Sequence, residues 1–375
     1  MRFYLLLFVI FQPLLSFCQF DLTKSLPANF KRDGSVDYTF YIQKGINENR
    51  VVNMPDFPIM ISDIGINIPS NSVINFLGNS KIILKPSMLP SYKVLQITGS
   101  ENVTINNPHI EGDRNTHLTE GGEAGILIAI MGSKNVTING GILNNSWADG
   151  IYLGTKTVNG IPHTSNYNIT IKNIQILNSR RNGISIISVS GCTIEKVRIA
   201  LSGGGKRFHD PQSGLGFEPN HRINKLERIT VDNLITESNF KHGIYCGLSN
   251  WYKEASSTDL KTKQLDITVK NWIDKKSGTP LLLSWNKAAF PNSDLINIQG
   301  KFSIINPNWE ILSNQNRLIE QYINQPQSGI ELILSNPQVH IIPIKGNKVP
   351  LFENFRDLNN HLIKKFGKAA NVNVR

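Results

Sequence analysis

Short runs of alternating apolar residues recur along this chain, each flanked by Gly or Asn, and they restrict its fold more than any other feature. One series reads Asn102-Val-Thr-Ile105, Asn135-Val-Thr-Ile138, Asn168-Ile-Thr-Ile171, Cys192-Thr-Ile194, Ile229-Thr-Val231 and Ile267-Thr-Val269. A second opens with Gly and an apolar residue at Gly125, Gly150, Gly183, Gly214 and Gly243, at spacings of 25, 33, 31 and 29. The two series interleave. Asn-Pro follows an apolar run at Asn107, Asn306 and Asn336. Period-two alternation means strands with one face in and one face out. No long helix-periodic stretch separates them, which argues against βαβ units. Several short strands per repeat predict an all-β parallel β-helix of about three strands per coil, with neighbouring coils about 4.8 Å apart. Ile151, Leu153, Ile184, Ile186, Ile244 and Cys246 are expected to point inward. An antiparallel sandwich is the alternative, but it would want hairpin dipeptides between strands.

The ends differ from the repeat. Asp37 precedes Tyr38–Asn47, a short helix expected to cap the first coil with Asp37 at its N-terminus. Leu351–Phe366 carries Phe355, Leu358, Leu362 and Phe366 at helical spacing and is expected to cap the last coil. Gly367–Arg375 reads as a frayed polar tail. The expected organisation is a leader over 1–18, a coil stack with its N-terminal cap over 19–345, and a C-terminal cap and tail over 346–375. Residues 1–18 read as a secretory signal: Arg2, an apolar stretch from Tyr4 to Leu15, then Ser16-Phe17-Cys18. Cleavage after Cys18 is favoured over a lipid anchor on Cys18, because Phe17 is bulky where a lipoprotein signal is small. The expected location is secreted or periplasmic. No later stretch reaches the ~18 apolar residues of a membrane span. Cys192 and Cys246 sit in strand patterns and are expected to be buried free thiols. Sequons occur at Asn102, Asn135, Asn144 and Asn168. Three belong to the repeat itself, where Asn suits the turn and Thr the strand.

Between Pro108 and Gly150 the polar residues change character: Glu111, Asp113, Arg114, His117, Glu120, Glu123, Trp147 and Asp149. Later coils add Arg180-Arg181-Asn182, then Lys206, Arg207, His209 and Asp210, then Glu218-Pro-Asn-His221, then His242-Gly-Ile-Tyr245 and Trp251. Counted from the Gly of each repeat, Glu123, Asp149 and Arg181 fall on one edge, with Glu123 about 6 Å from Asp149 and Arg181 at a similar distance on its other side. Asp149 and Glu218 differ by two coils and five residues, about 19 Å, too far for paired carboxylates on one bond. Catalytic candidates are therefore Asp149, Arg181, Glu123 and Glu218. Arg114, Arg180, Tyr152, His242, Tyr245 and Trp251 are candidates for binding substrate, the cations by pairing a carboxylate and the aromatics by stacking on sugars. Parity points Tyr152 and Tyr245 outward. Glu123 and Asp149 are also candidates for holding Ca²⁺, which prefers carboxylate oxygens. The same features have plainer readings: a surface ion-pair ladder, a strand-ending turn, or aromatics that cover the coil. No phosphate loop, nucleophile elbow or His-Glu-x-x-His zinc motif occurs.

Glu111-Gly-Asp-Arg114 with His117, Trp147-x-Asp-Gly-Ile-Tyr-x-Gly154, Ser179-Arg-Arg-x-Gly-Ile-Ser185 and Gly214-x-x-x-Glu-Pro-Asn220 resemble the secreted right-handed parallel β-helix proteins of the pectate-lyase-like superfamily. The resemblance covers roughly residues 30–250 and implies that fold. It does not select an activity, because the superfamily holds lyases, hydrolases and epimerases. The Arg-x-Pro-x-x-Arg of pectate lyases and the aspartate set of polygalacturonases are missing. Leu215-Gly-Phe-Glu-Pro-Asn-His221 is similar to the Tyr-Gly-Phe-Asp-Pro-His-Glu of alginate epimerases, with only Glu218 carrying over, as Glu for Asp. Gly216 stands where relatives carry Asp, and Ala124 where they carry Trp.

Composition adds one more constraint. Only 18% of residues are charged, yet 39 Lys and Arg face 28 Asp and Glu, a formal +11, or +10 without the leader's Arg2. Outside the cytoplasm that surplus points to an acidic polysaccharide rather than nucleic acid. The leading expectation is cleavage of a uronic-acid polysaccharide by β-elimination. The alternatives are a glycoside hydrolase using Glu123 and Asp149, and a non-catalytic glycan-binding protein.

Overall fold

The computed structural model describes residues 19–252, 262–286, 296–312, 319–324, 329–342, 360, 369–370 and 373–374. The expected leader over 1–18 and, apart from Asn360, the expected cap over 351–366 lie outside the described residues. The chain winds into stacked coils whose strands pair in parallel. The one antiparallel pair among the described residues is a hairpin, Lys156–Val158 with Ile161–Thr164, that projects from the stack. A sandwich is thereby excluded.

Among the described residues, one sheet of nine strands runs from Ile66–Asn67 to Ile319–Asn324. Its inward row is a continuous ladder: Ile66, Leu95, Ile128, Ile151, Ile184, Leu215, Ile244, Leu281 and Ile319 oppose one another coil after coil. Each of these side chains is almost wholly buried. Each contributes about 1.5–3 kcal/mol of transfer free energy, so the stack is held by like packing on like. The second face stacks Val103, Val136, Ile169, Cys192, Ile229 and Ile267 in the same way, as the Asn-x-Thr-Ile spacing predicts. Cys192 and Cys246 are free and buried, and burial pushes the Cys192 thiol up to about 12.

Asparagine serves the corners. Asn102, Asn135 and Asn168 adopt φ of 57°, 54° and 52°, left-handed values that Asn tolerates better than most residues. Their amides donate coil to coil, Asn168 to Asn135, Asn135 to Asn102 and Asn102 to Asn71, at 3.0–3.2 Å. Three of the four sequons are therefore rungs of this ladder.

At the N-terminal end the helix runs Thr39–Glu48, one residue later than its expected start. The N-cap position is Tyr38 rather than Asp37, which lies one residue earlier and accepts from the Thr39 N–H at 2.9 Å, and Ile42 and Ile46 join the core. At the other end Ala369–Ala370 and Asn373–Val374 pair in parallel with Leu334–Ser335 and Gln338–Val339, so these tail residues extend the sheets rather than fray.

Candidate functional site

The outward row of the nine-stranded sheet holds the candidate site. It reads Gln96, Ala129, Tyr152, Ser185, Gly216, Tyr245 and Leu282, each opposite the next. Ser185 and Gly216 are small, so Tyr152 and Tyr245 stand as walls of a slot with a low floor. Three coil steps of about 4.8 Å separate the two tyrosine backbones by about 14 Å.

Arg181 organises that floor. Its Nη1 donates to Asp149 Oδ2 at 3.0 Å and its Nη2 to Glu218 Oε2 at 3.1 Å, while its Nε donates to the Asp210 carbonyl at 3.0 Å. One guanidinium thus spans both carboxylates, and the bridged oxygens lie within about 8 Å. The register estimate of 19 Å between Asp149 and Glu218 is overturned, because it counted backbones only. Arg181 reaches across a coil, and Glu218 folds back along its strand until its carboxylate lies over Gly216. A Cβ on Gly216 would sit 3.4 Å from Glu218 Oε2 and 3.1 Å from Asn182 Nδ2. Asn182, which carries no motif of its own, completes the frame. Its backbone N–H donates to Asp149 Oδ1 at 3.0 Å, and its amide donates to Glu218 Oε2 at 3.1 Å and Ser185 Oγ at 2.9 Å.

Two carboxylates on one cation leave the centre one negative charge in excess. Burial, opposed by Arg181 and reinforced by Asp149, raises the Glu218 carboxyl from its ordinary value to about 7. Burial works against the Arg181 cation, but Asp149 and Glu218 outweigh it and hold Arg181 above its usual value. Burial and then Asp149 push the Tyr152 phenol up to about 12, so it stays protonated at neutral pH. Asp149 has no exposed side-chain surface, whereas Glu218 keeps 11% and Arg181 17%. A cavity of about 440 Å³ adjoins this centre, lined by Lys93, Glu123, Tyr152, Arg181, Asn220 and His221 among others, with the hairpin residues Thr157 and Pro162 as one wall.

The other expected residues separate. The glycine register slips by two at the first coil: Ile128, not Ile126, opposes Ile151. Glu123 is therefore three residues along from Ile126, the neighbour of Asp149, and sits on the rim. It is 71% exposed, with its Oε1 3.0 Å from His209 Nε2. Glu123 and Asp149 do not make a calcium cage. Asp149 is occupied by Arg181 and the Asn182 N–H, and among the described residues no three His, Cys, Asp or Glu side chains group to hold a metal. Arg180 is buried instead of facing substrate: its guanidinium lies 3.9 Å over the Trp147 ring and donates to the Trp147 and Gly122 carbonyls. His117 stacks on Trp147 at the same separation, which leaves it the opposite ring face. Its Nδ1 contacts Asp113, which also accepts from Tyr92, a buried polar cluster under the groove rim. Arg114 donates to the carbonyls of Ser179, Leu201, Gly203 and Gly204. Trp251 points inward, wholly buried, with its indole N–H on the Asn224 carbonyl at 3.2 Å. His242 stacks 6.2 Å from Tyr245 at the slot's edge, and burial and then Lys241 lower it to about 4, so it is neutral. Lys93 and the hairpin wall carry no signal in the sequence, and Asn220 is marked there only as part of the Glu-Pro-Asn motif. Only the fold brings them beside Arg181.

With this geometry, similarity to known proteins becomes informative. No family model matches the chain. Over 166 residues, 41% of its length, it is 28% identical to the uncharacterized protein YclG of Bacillus subtilis, and the match spans 27% of that protein. In three dimensions it resembles PfbA, a surface adhesin of Streptococcus pneumoniae, with a TM-score of 0.55 at 12% identity over 87% of each chain. It also resembles the tailspike protein of Escherichia coli bacteriophage HK620 in complex with a pentasaccharide, with a TM-score of 0.56 at 13% identity over 88% of this chain and 64% of that one. The fold is a right-handed parallel β-helix. Among the described residues no helix is long and apolar enough to cross a membrane.

Proposed function

We propose that the chain is a secreted glycan-processing protein whose slot cleaves a uronic-acid polysaccharide by β-elimination. The observation that carries this reading is the Arg181–Glu218 contact, which holds a carboxylate of near-neutral proton affinity on the slot floor. Glu218 takes the proton α to the uronate carboxylate. The electron pair forms the new double bond as the glycosidic C–O bond breaks, and the Tyr152 phenol protonates the departing oxygen. Solvent returns the proton from Glu218 to Tyr152. Lys93 and the unfilled donors of Arg181 stabilise the substrate carboxylate. A base poised near pH 7 suits that work.

Hydrolysis by two carboxylates requires both to face the sugar, about 5–10 Å apart. Asp149 lines the adjoining cavity but has no exposed side-chain surface, and Glu123 stands on the rim, whereas Glu218 keeps 11% exposure, so Glu218 is the carboxylate best placed to serve the slot. This favours elimination over the two-carboxylate alternative. Reaction in heavy-oxygen water with a panel of uronate polymers separates the routes by product mass. Elimination leaves the products unlabelled and unsaturated. Labelled, saturated reducing ends would establish hydrolysis, and intact polymers across the panel would leave glycan binding alone.

A further inference from the structure

A second cleft, of about 480 Å³, shares no lining residue with the slot. It lies where successive coils turn a corner. Asn145, Asn178, Leu201 and Ser238 occupy equivalent corner positions, with φ of 56°, 54°, 61° and 50°. Asn and Ser suit such a position. A leucine does not, because its side chain crowds the backbone there. Leu201 is nevertheless 49% exposed, and Phe240 beside it is 59% exposed. Phe240 packs over Gly204, where a Cβ would meet the ring at 3.3 Å. The cleft thus has an apolar platform, and around it stand amides and the Ser202 hydroxyl, which is buried and without a partner. Apolar face plus surrounding amides and hydroxyls is the chemistry that receives a sugar ring.

The cleft continues into a smaller pocket lined by Arg114, Asn115, Gly204, Gly205, Lys206 and Arg207. Three cations line it, and no acidic side chain lines either part among the described residues. Arg114 spends its donors on neutral carbonyls, and Arg207 donates to the His117 carbonyl, so neither charge is cancelled by these bonds. We propose that this corner is a second saccharide-binding site, taking an acidic sugar with its ring on Leu201 and Phe240 and its anionic group toward Lys206 and Arg207. The corner would hold such a sugar whether or not the slot cleaves it.

Trp147, Trp251, Trp272 and Trp309 are buried, so a Phe240→Trp substitution adds a surface fluorophore at the platform. Titration of F240W with hexagalacturonate is expected to give a saturable blue shift that weakens at least tenfold on adding Lys206→Gln and Arg207→Gln. Glu218→Gln in the slot should leave that shift unchanged. An equal shift with cellohexaose would overturn the acidic assignment. Absence of any shift, or a shift abolished by E218Q alone, would overturn the site. Phe240→Ala, whose melting is expected to match the parent, checks the site without the fluorophore. Its hexagalacturonate binding, followed by calorimetry with E218Q in the background, should weaken at least tenfold, and binding at the parental affinity would overturn the site.

Discussion

The Glu218 carboxylate lies over Gly216, a position where a Cβ would come within 3.4 Å of its Oε2 and 3.1 Å of Asn182 Nδ2. The space there admits a methyl group but not a longer side chain without moving Glu218 or Asn182. Gly216→Ala should therefore cost under about 1 kcal/mol, since both contacts can yield by a few tenths of an ångström. Gly216→Asp should cost about 1–3 kcal/mol and displace Glu218, because it adds a third carboxylate to a centre already short of positive charge. Denaturant midpoints of the two variants test the ordering.

Arg181 links two carboxylates, one of them wholly buried. Arg181→Ala leaves Asp149 without its cation and is expected to cost about 3–5 kcal/mol. The double variant Arg181→Ala with Asp149→Asn should recover part of that loss, which a double-mutant cycle in urea measures directly.

Glu218 titrates near 7 in the folded chain, above the ordinary carboxyl value of 4.5. Between those values the folded state binds more protons than the unfolded one, so stability falls as pH rises. The contribution is fully present below about pH 4.5 and lost by about pH 7. It amounts to a few kcal/mol at most. Glu218→Gln, which cannot titrate, should flatten this slope in melts recorded across the window, and cleavage by the parent should rise with pH through about 7 as the base ionises.

Leu201 occupies a left-handed corner at φ 61°. Replacing it with Asn is expected to stabilise the fold by about 1 kcal/mol, since Asn visits that conformation at lower cost. The same substitution removes half of the apolar platform and should weaken hexagalacturonate binding at the corner. A higher melting temperature with weaker binding is the expected pair of results.

The architecture was legible because its cause is local. The Asn102, Asn135 and Asn168 rungs and the Ile151–Ile184–Leu215–Ile244 ladder repeat the same residue types at the same turn, and periodicity reports that directly. Tyr152 and Tyr245 follow from the same parity. The site was only half legible, because side-chain reach is not periodic. Backbone counting separated Asp149 from Glu218, yet a long Arg and a Glu lying back over a Gly close the gap. It also aligned Gly125 with Gly150, although the coil slips by two there and carries Glu123 to the rim. Arg180 and Trp251 look like surface chemistry in sequence. A ring and a carbonyl on a neighbouring coil take them inside. Three of the surplus cations, Arg114, Lys206 and Arg207, come together at one corner of the stack, which spacing along the chain does not reveal.

In the proposed reaction Glu218, held by Arg181, removes a proton from a uronate. Ultraviolet absorbance of the unsaturated product tests it most directly, recorded for the parent chain, Glu218→Gln and Tyr152→Phe on the same uronate polymers. Absorbance should rise with the parent, and its rate should fall at least a hundredfold with Glu218→Gln and by less with Tyr152→Phe. A Glu218→Gln variant that forms product at the parental rate would contradict it.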